Sequence, residues 1–253
     1  MAILTFEQPL NELVRLNLRL EYLFQKLDQN IDYSDSWSRR ASIEATAQII
    51  HVLDRPDIKS KYSKALQKQI DQLSPYLNQS GADQEALNNT LNELKDLLNY
   101  FSLSNDKIAS SLRGNSFLST LRQHLLYPGG EANFEVPAFD YWLHLSEEKQ
   151  TQYLATWSQE LKLVKQTIST MLKLLRNRTH VNYVSAIQGF HQEPLERGSN
   201  TQLIKIKVNQ DEHVYPVISA SKHRLIIRFY DGDHLISQEQ TQKDVQFDLI
   251  CCY

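Results

Sequence analysis

Histidines, cysteines and paired carboxylates are the side chains of this 253-residue chain whose types could support catalysis or metal binding. Their spacing supports neither. The eight histidines are scattered, and none lies three or four residues from another, as two metal ligands on one helix face would. The two cysteines are the neighbours Cys251 and Cys252. Successive residues of a strand point to opposite faces, so these thiols cannot converge on one ion. A disulfide between neighbours would close a strained ring that staples nothing. The pairs Glu147-Glu148 and Asp211-Glu212 fall where a helix start and a turn are expected, and acids serve ordinary structural purposes there. There is no phosphate-binding or dinucleotide glycine loop, no G-x-S-x-G and no H-E-x-x-H. The sequence thus predicts no catalytic residue, no metal, no cofactor and no small-molecule substrate. A cofactor-free enzyme built on His124 or His144 would have only lone histidines in its favour.

Local positive charge is the feature that remains. Residues 161–192 contain no acid but carry Lys162, Lys165, Lys173, Arg176 and Arg178. Residues 213–230 are again free of acids, and Lys222, Arg224 and Arg228 share one parity of an expected strand, hence one face. Three cations on one strand face repel one another unless something anionic faces them. Arg15 and Arg19 lie four apart on an expected helix and so stand on one side of it. For Arg15 the structural alternative is a pair with Glu12, and for the lysines of residues 161–173 a solvated helix face.

The elements that must position these charges follow from periodicity. Leu13, Leu16, Leu20, Leu23 and Leu27 alternate at spacings of three and four, so residues 9–30 read as an amphipathic helix with Pro9 at its first position. A second helix spans 36–53 and stops before Pro56. Ile58, Tyr62, Leu66, Ile70, Leu73 and Leu77 form a third stripe, and Leu87, Leu91, Leu94, Leu98 and Phe101 a fourth, separated by Ser80-Gly81. A short helix over 117–126 ends at the turn Tyr127-Pro128-Gly129-Gly130, and the aromatic-rich residues 134–144 read as irregular. Residues 146–178 read as the longest helix; its stripe Trp157, Leu161, Val164, Ile168, Met171 and Leu175 suits either a bundle core or a dimer seam.

After Thr179 the period becomes two. Ile204, Ile206 and Val208 alternate with lysines; Leu225, Ile227 and Phe229 alternate with Arg224, Ile226 and Arg228; Val245, Phe247, Leu249 and Cys251 form a third series. Turn signals at Asn209-Gln210-Asp211 and Asp231-Gly232-Asp233 make these strands antiparallel. The expected fold is α+β: an α-helical bundle over 1–180, then a small antiparallel β domain over 181–253.

Composition sets outer limits. Apolar residues at 41% and charged residues at 23% exclude global disorder. The formal charge of −3 excludes coating nucleic acid by bulk charge but permits a local basic patch. The longest apolar run, residues 249–253, is too short for a membrane span. The opening residues lack a basic stretch and meet Glu7 early, so no secretory signal is expected, and the chain reads as cytoplasmic. A binding module for an acidic peptide, an anionic protein surface or nucleic acid is the simplest reading.

Particular residues carry a resemblance. Phe6-Glu7-Gln8-Pro9-Leu10-Asn11-Glu12 with Arg15 and Arg19, Leu126-Tyr127-Pro128-Gly129-Gly130, and Pro137 with Trp142-Leu143-His144-Leu145 form its first part. Tyr215-Pro216-Val217-Ile218-Ser219, Arg224-Leu225-Ile226-Ile227-Arg228-Phe229 and Phe247-Asp248-Leu249-Ile250-Cys251-Cys252 complete it. Together they resemble, in order and over essentially the whole chain, the Z-ring-associated protein D (ZapD) family of bacterial cell-division factors. The resemblance implies a cytoplasmic homodimer, recruited to the division site at mid-cell. Such a dimer binds the C-terminal tail of FtsZ, the tubulin-like division protein, through cations between its two domains, and bundles FtsZ filaments. The matching cations are Arg15, Arg19, Lys222, Arg224 and Arg228, with Arg113 and Arg122 as further candidates. Ser116 and Asp140 stand where the family pattern has basic residues. Exposed ion pairs contribute about 0.2–1 kcal/mol each, so apolar anchors are needed beside them; Phe134, Tyr141 and Trp142 are candidates, with domain core as their structural alternative. The alternative from another class is a nucleic-acid-binding regulator that uses the basic β face as a single-strand platform. That reading needs aromatics among the cations, and on the basic strand only Tyr230 shares their parity.

Overall fold

A computed structural model describes residues 2–33, 35–78, 83–103, 107–194, 200–221 and 224–253. A strand β1 (Ile3–Pro9) precedes α1 (Glu12–Ile31), α2 (Ser36–Leu53), α3 (Ile58–Leu73), α4 (Gln84–Leu103), α5 (Ser110–Gly114), α6 (Ser116–His124), α7 (Pro137–Leu143) and the long α8 (Glu147–Asn177). Then come β2 (Thr179–Ala186), β3 (Phe190–Pro194), β4 (Leu203–Asn209), β5 (Val214–Ala220), β6 (Arg224–Asp231) and β7 (Val245–Cys252). The chain is α+β, as its periodicity predicts.

The boundary differs from the one expected. Two compact units form, residues 18–171 and residues 1–17 with 172–253, in place of a division at 180/181. The cause is β1, a strand within residues 1–180, expected to be all helical. Ile3 to Pro9 pair antiparallel with Asn209 to Leu203, which carries the N-terminus into the β unit. Pro9 therefore ends an edge strand, where its missing N–H costs no ladder bond, and is not the first residue of a helix. The helix starts three residues later, at Glu12, behind Asn11, whose side-chain oxygen accepts the Val14 N–H at 2.9 Å.

In the helical unit the stripes are core. Trp157, Leu161, Val164 and Ile168 of the expected stripe on α8, with Leu154, are each at most 4% exposed, so this part of it is bundle core, while Met171 is half-buried. Residues 137–143, expected to be irregular, form a helical turn pair: Pro137 fits its first turn, and Phe139 and Trp142, three apart, are buried from one face. Trp142 and Phe117 both stack on Trp157, at 6.2 and 6.1 Å. In the turn Tyr127-Pro128-Gly129-Gly130, Gly129 has a φ of +71°, and a Cβ at Gly130 would overlap the His124 carbonyl, so both glycines are required. Arg39 is 2% exposed and holds the end of α1: it donates to the Ile31 carbonyl at 3.0 Å and to Thr151 Oγ1 at 2.9 Å. A guanidinium there meets the partial negative charge of a helix C-terminus.

The β unit has two antiparallel sheets, ordered β1-β4-β7-β2 and β3-β6-β5. Their inward residues form one core: Ile204, Ile206, Val208, Phe247 and Leu249 from the first, Val214, Leu225, Ile227 and Phe229 from the second. Arg176, from the last turn of α8, is fixed to β1 by two bonds to the Glu7 carboxylate, at 2.9 and 2.7 Å. Cys251 and Cys252 are free, buried thiols. Burial raises the pKa of both, that of Cys252 to about 11, so they are neutral and unreactive at physiological pH.

Candidate protein-binding surface

Sheet β3-β6-β5 presents the basic strand. Along β6, Leu225, Ile227 and Phe229 are fully buried, which forces Arg224, Ile226, Arg228 and Tyr230 onto the outer face. Each buried apolar side chain stabilises this orientation by about 1.5–3 kcal/mol, so the strand cannot turn over without losing its core. Arg224 and Arg228 are exposed. Lys222, the third member of the expected trio, lies outside the described residues.

The neighbouring strands decide what accompanies the arginines. Register places Phe190 of β3 and Val217 of β5 on either side of Arg228. Gln192 and Ser219 flank Ile226, Pro194 lies beside Arg224, and Tyr215 lies beside Tyr230. The Arg228 guanidinium stands 5.5 Å from the centre of the Phe190 ring, a cation–π contact, and Tyr215 stacks on Tyr230 at 5.7 Å. None of these side chains is acidic. The face is therefore two guanidiniums set among apolar and neutral polar groups, chemistry suited to carboxylates on a chain that also carries apolar side chains.

The other expected cations are placed differently. Arg15 forms the intrahelical pair with Glu12, 3.4 Å apart with both side chains about half exposed, and Arg19 is exposed one turn further along α1. Arg113 and Arg122 converge on Asp54, at 3.1 and 3.2 Å, and are largely buried. Arg113 also donates to the Leu53 carbonyl, so this cluster ties α5 and α6 to the end of α2. Asp140 is a half-exposed carboxylate on α7 whose backbone carbonyl bonds His144 Nδ1 at 2.8 Å. The aromatic candidates divide: Trp142 is 4% exposed and core, whereas Tyr141 and Phe134 are 71% and 78% exposed. Tyr141 lines a groove of about 600 Å³ with Lys149, Gln152, Tyr153 and Trp157.

Sequence reasoning missed Phe190, Tyr215 and Val217 as companions of the arginines. Parity within β6 was legible, but the partners across a sheet depend on register, which no single strand encodes. Among the described residues no group of three or more His, Cys, Asp or Glu is arranged to hold a metal ion, and no helix is long and apolar enough to cross a membrane.

Comparison with known proteins gives a consistent result. The family model ZapD, described as a cell division protein, matches residues 18–228. The cell division protein ZapD of Coxiella burnetii (strain RSA 493 / Nine Mile phase I) is 33% identical over 251 residues, covering 98% of this chain and 97% of that protein. Those of Vibrio parahaemolyticus and Pectobacterium atrosepticum are 31% and 30% identical, over 98% and 99% of this chain and 98% of each relative.

Proposed function

The chain belongs to the ZapD family of cell division proteins, and we propose that it acts at the mid-cell division site by binding the acidic C-terminal tail of FtsZ and cross-linking FtsZ filaments. The observation that carries this reading is the outer face of β6, where Arg224 and Arg228 stand exposed among apolar and neutral polar neighbours, with no acid among the described residues beside them in register. Such a face attracts carboxylates, while Ile226, Phe190 and Val217 supply the apolar contact that charge alone lacks. Arg15 and Arg19, with Lys222, are the additional receivers; Arg113 and Arg122 are already engaged by Asp54. A homodimer with two equivalent sites bridges two filaments, and the many subunits along each filament multiply weak single contacts. No enzymatic step is needed.

Pull-down with FtsZ and with FtsZ lacking its C-terminal tail tests the proposal. Capture of the intact protein alone is expected; equal capture of both overturns tail recognition.

One observation favours the alternative partner. Phe190 and Tyr215 join Tyr230 on the cation face, so the aromatics that a single-strand platform requires are present. Labelled single-stranded DNA competing with the tail for the same face would support that reading; no binding at low salt would dismiss it.

A further inference from the structure

We infer that the outer face of β6 selects an extended partner segment with two carboxylates four residues apart and an apolar side chain midway between them. The inference rests on the proposed reading of this face as an acid receiver and adds the spacing rule that the ligand must obey.

The rule comes from the strand itself. Arg224 and Arg228 are four residues apart on β6, so their Cα atoms are separated by about 13 Å. Ile226 lies at the midpoint and points to the same side, which makes the strip cation, apolar, cation. An extended ligand running along this strip has the same period of two. Its residues i, i+2 and i+4 face the sheet together, and i and i+4 are about 13 Å apart, matching both arginines at once. A helical ligand does not match. Its same-face positions i and i+7 are about 10.5 Å apart, and i and i+11 about 16.5 Å. Adjacent carboxylates in an extended chain point to opposite sides, so only one reaches an arginine.

The two ends of the strip differ, which gives the segment a direction. Arg228 is flanked by Phe190 and Val217, 39% and 51% exposed, whereas Arg224 is flanked by Pro194. The Arg228 end thus offers the larger apolar surface, an aromatic ring and a valine, beside the acid it receives, and the Arg224 end the smaller one, a proline.

Fluorescence anisotropy with the full chain and three labelled peptide isomers of equal charge and composition tests the rule. One carries Glu-Ser-Leu-Ser-Glu at its centre, one places the two Glu side by side, and one places them three apart. One additional exposed ion pair corresponds to up to about a fivefold change in affinity, so at low salt the first isomer is expected to bind up to about fivefold tighter than the others. In Arg224→Ala and in Arg228→Ala, each melting like the parent, that preference is expected to vanish. Equal binding of the three isomers, with FtsZ-tail binding still dependent on both arginines, overturns the spacing rule alone. FtsZ-tail binding unchanged in both variants overturns the acid-receiving face and the rule with it.

Discussion

Arg228 is held by its own side of the sheet. Phe190 lies across from it in register and takes the guanidinium over its ring at 5.5 Å, so the charge is presented from a partly fixed position and not on a free tether. Charge on this face and burial on the other can be separated experimentally. Arg224→Glu with Arg228→Glu alters two exposed positions, where substitutions usually shift stability by about 0.5 kcal/mol or less. The double variant should melt like the parent and fail to co-sediment with FtsZ filaments. Ile227→Asp places a carboxylate at a fully buried site between the sheets and should destabilise the β unit by on the order of 4 kcal/mol. A double Glu variant that folds and still bundles filaments would make the basic strand a solvated face only. The cysteines yield a second residue-scale prediction. Burial lifts the Cys252 thiol from 9.0 to about 11, so its contribution to stability is fully present below pH 9 and is lost as pH rises through about 11. Thiol titration with a disulfide reagent at pH 8 should find both cysteines unreactive in the native chain and both reactive in denaturant. Rapid native labelling would show that the end of β7 opens readily.

Three helix ends in this chain are held by arginines. Arg39 closes α1 at Ile31, Arg113 closes α2 at Leu53, and Arg176 binds the end of α8 to Glu7 of β1. Arg39 is the test case, because it is buried and has no ionic role on the surface. Arg39→Ala removes a buried side chain and the donor to the Ile31 carbonyl, and should cost about 2–4 kcal/mol, read as a lowered denaturation midpoint with β-unit residues still exchanging slowly. An unchanged midpoint would mean that solvent caps α1 equally well. The elements themselves were largely legible. The α3, α4 and α8 stripes and the β4, β6 and β7 alternations are strong because each buries a periodic set of apolar residues, and burial writes its period into the sequence. What was not legible depends on partners. β1 has only seven residues ending in proline, and it is a strand because β4 lies beside it. α7 has seven residues, too few for a stripe, and is helical because Phe139 and Trp142 reach a shared aromatic core. The candidate site shows the same division: Arg224 and Arg228 could be read from parity, whereas Phe190, Val217 and Tyr215 come from register across β3 and β5.

At the scale of the whole molecule, charge and assembly govern the proposed activity together. The chain carries a net −3, yet the β6 face is cationic, so attraction to an acidic partner is local and short in range. Physiological salt screens exposed charges beyond about 8 Å. Each tail contact is then weak, and bundling depends on one particle offering two sites. Most of the α8 stripe is buried within the chain, so the stripe does not itself argue for a subunit contact. The expectation of a dimer therefore rests on family membership and on the requirement that a cross-linker be at least bivalent. Two measurements bear on it jointly. Sedimentation equilibrium at micromolar concentration should return twice the 29.4 kDa chain mass, and FtsZ bundling should fall progressively as salt is raised while that mass persists. Loss of bundling at a salt concentration that leaves the dimer intact assigns the salt sensitivity to the cationic face. Loss of dimer and bundling at the same salt concentration assigns it to the subunit contact. A strictly monomeric chain that bundles filaments at every salt concentration would refute bridging by paired β6 faces, since one exposed basic strand cannot hold two filaments.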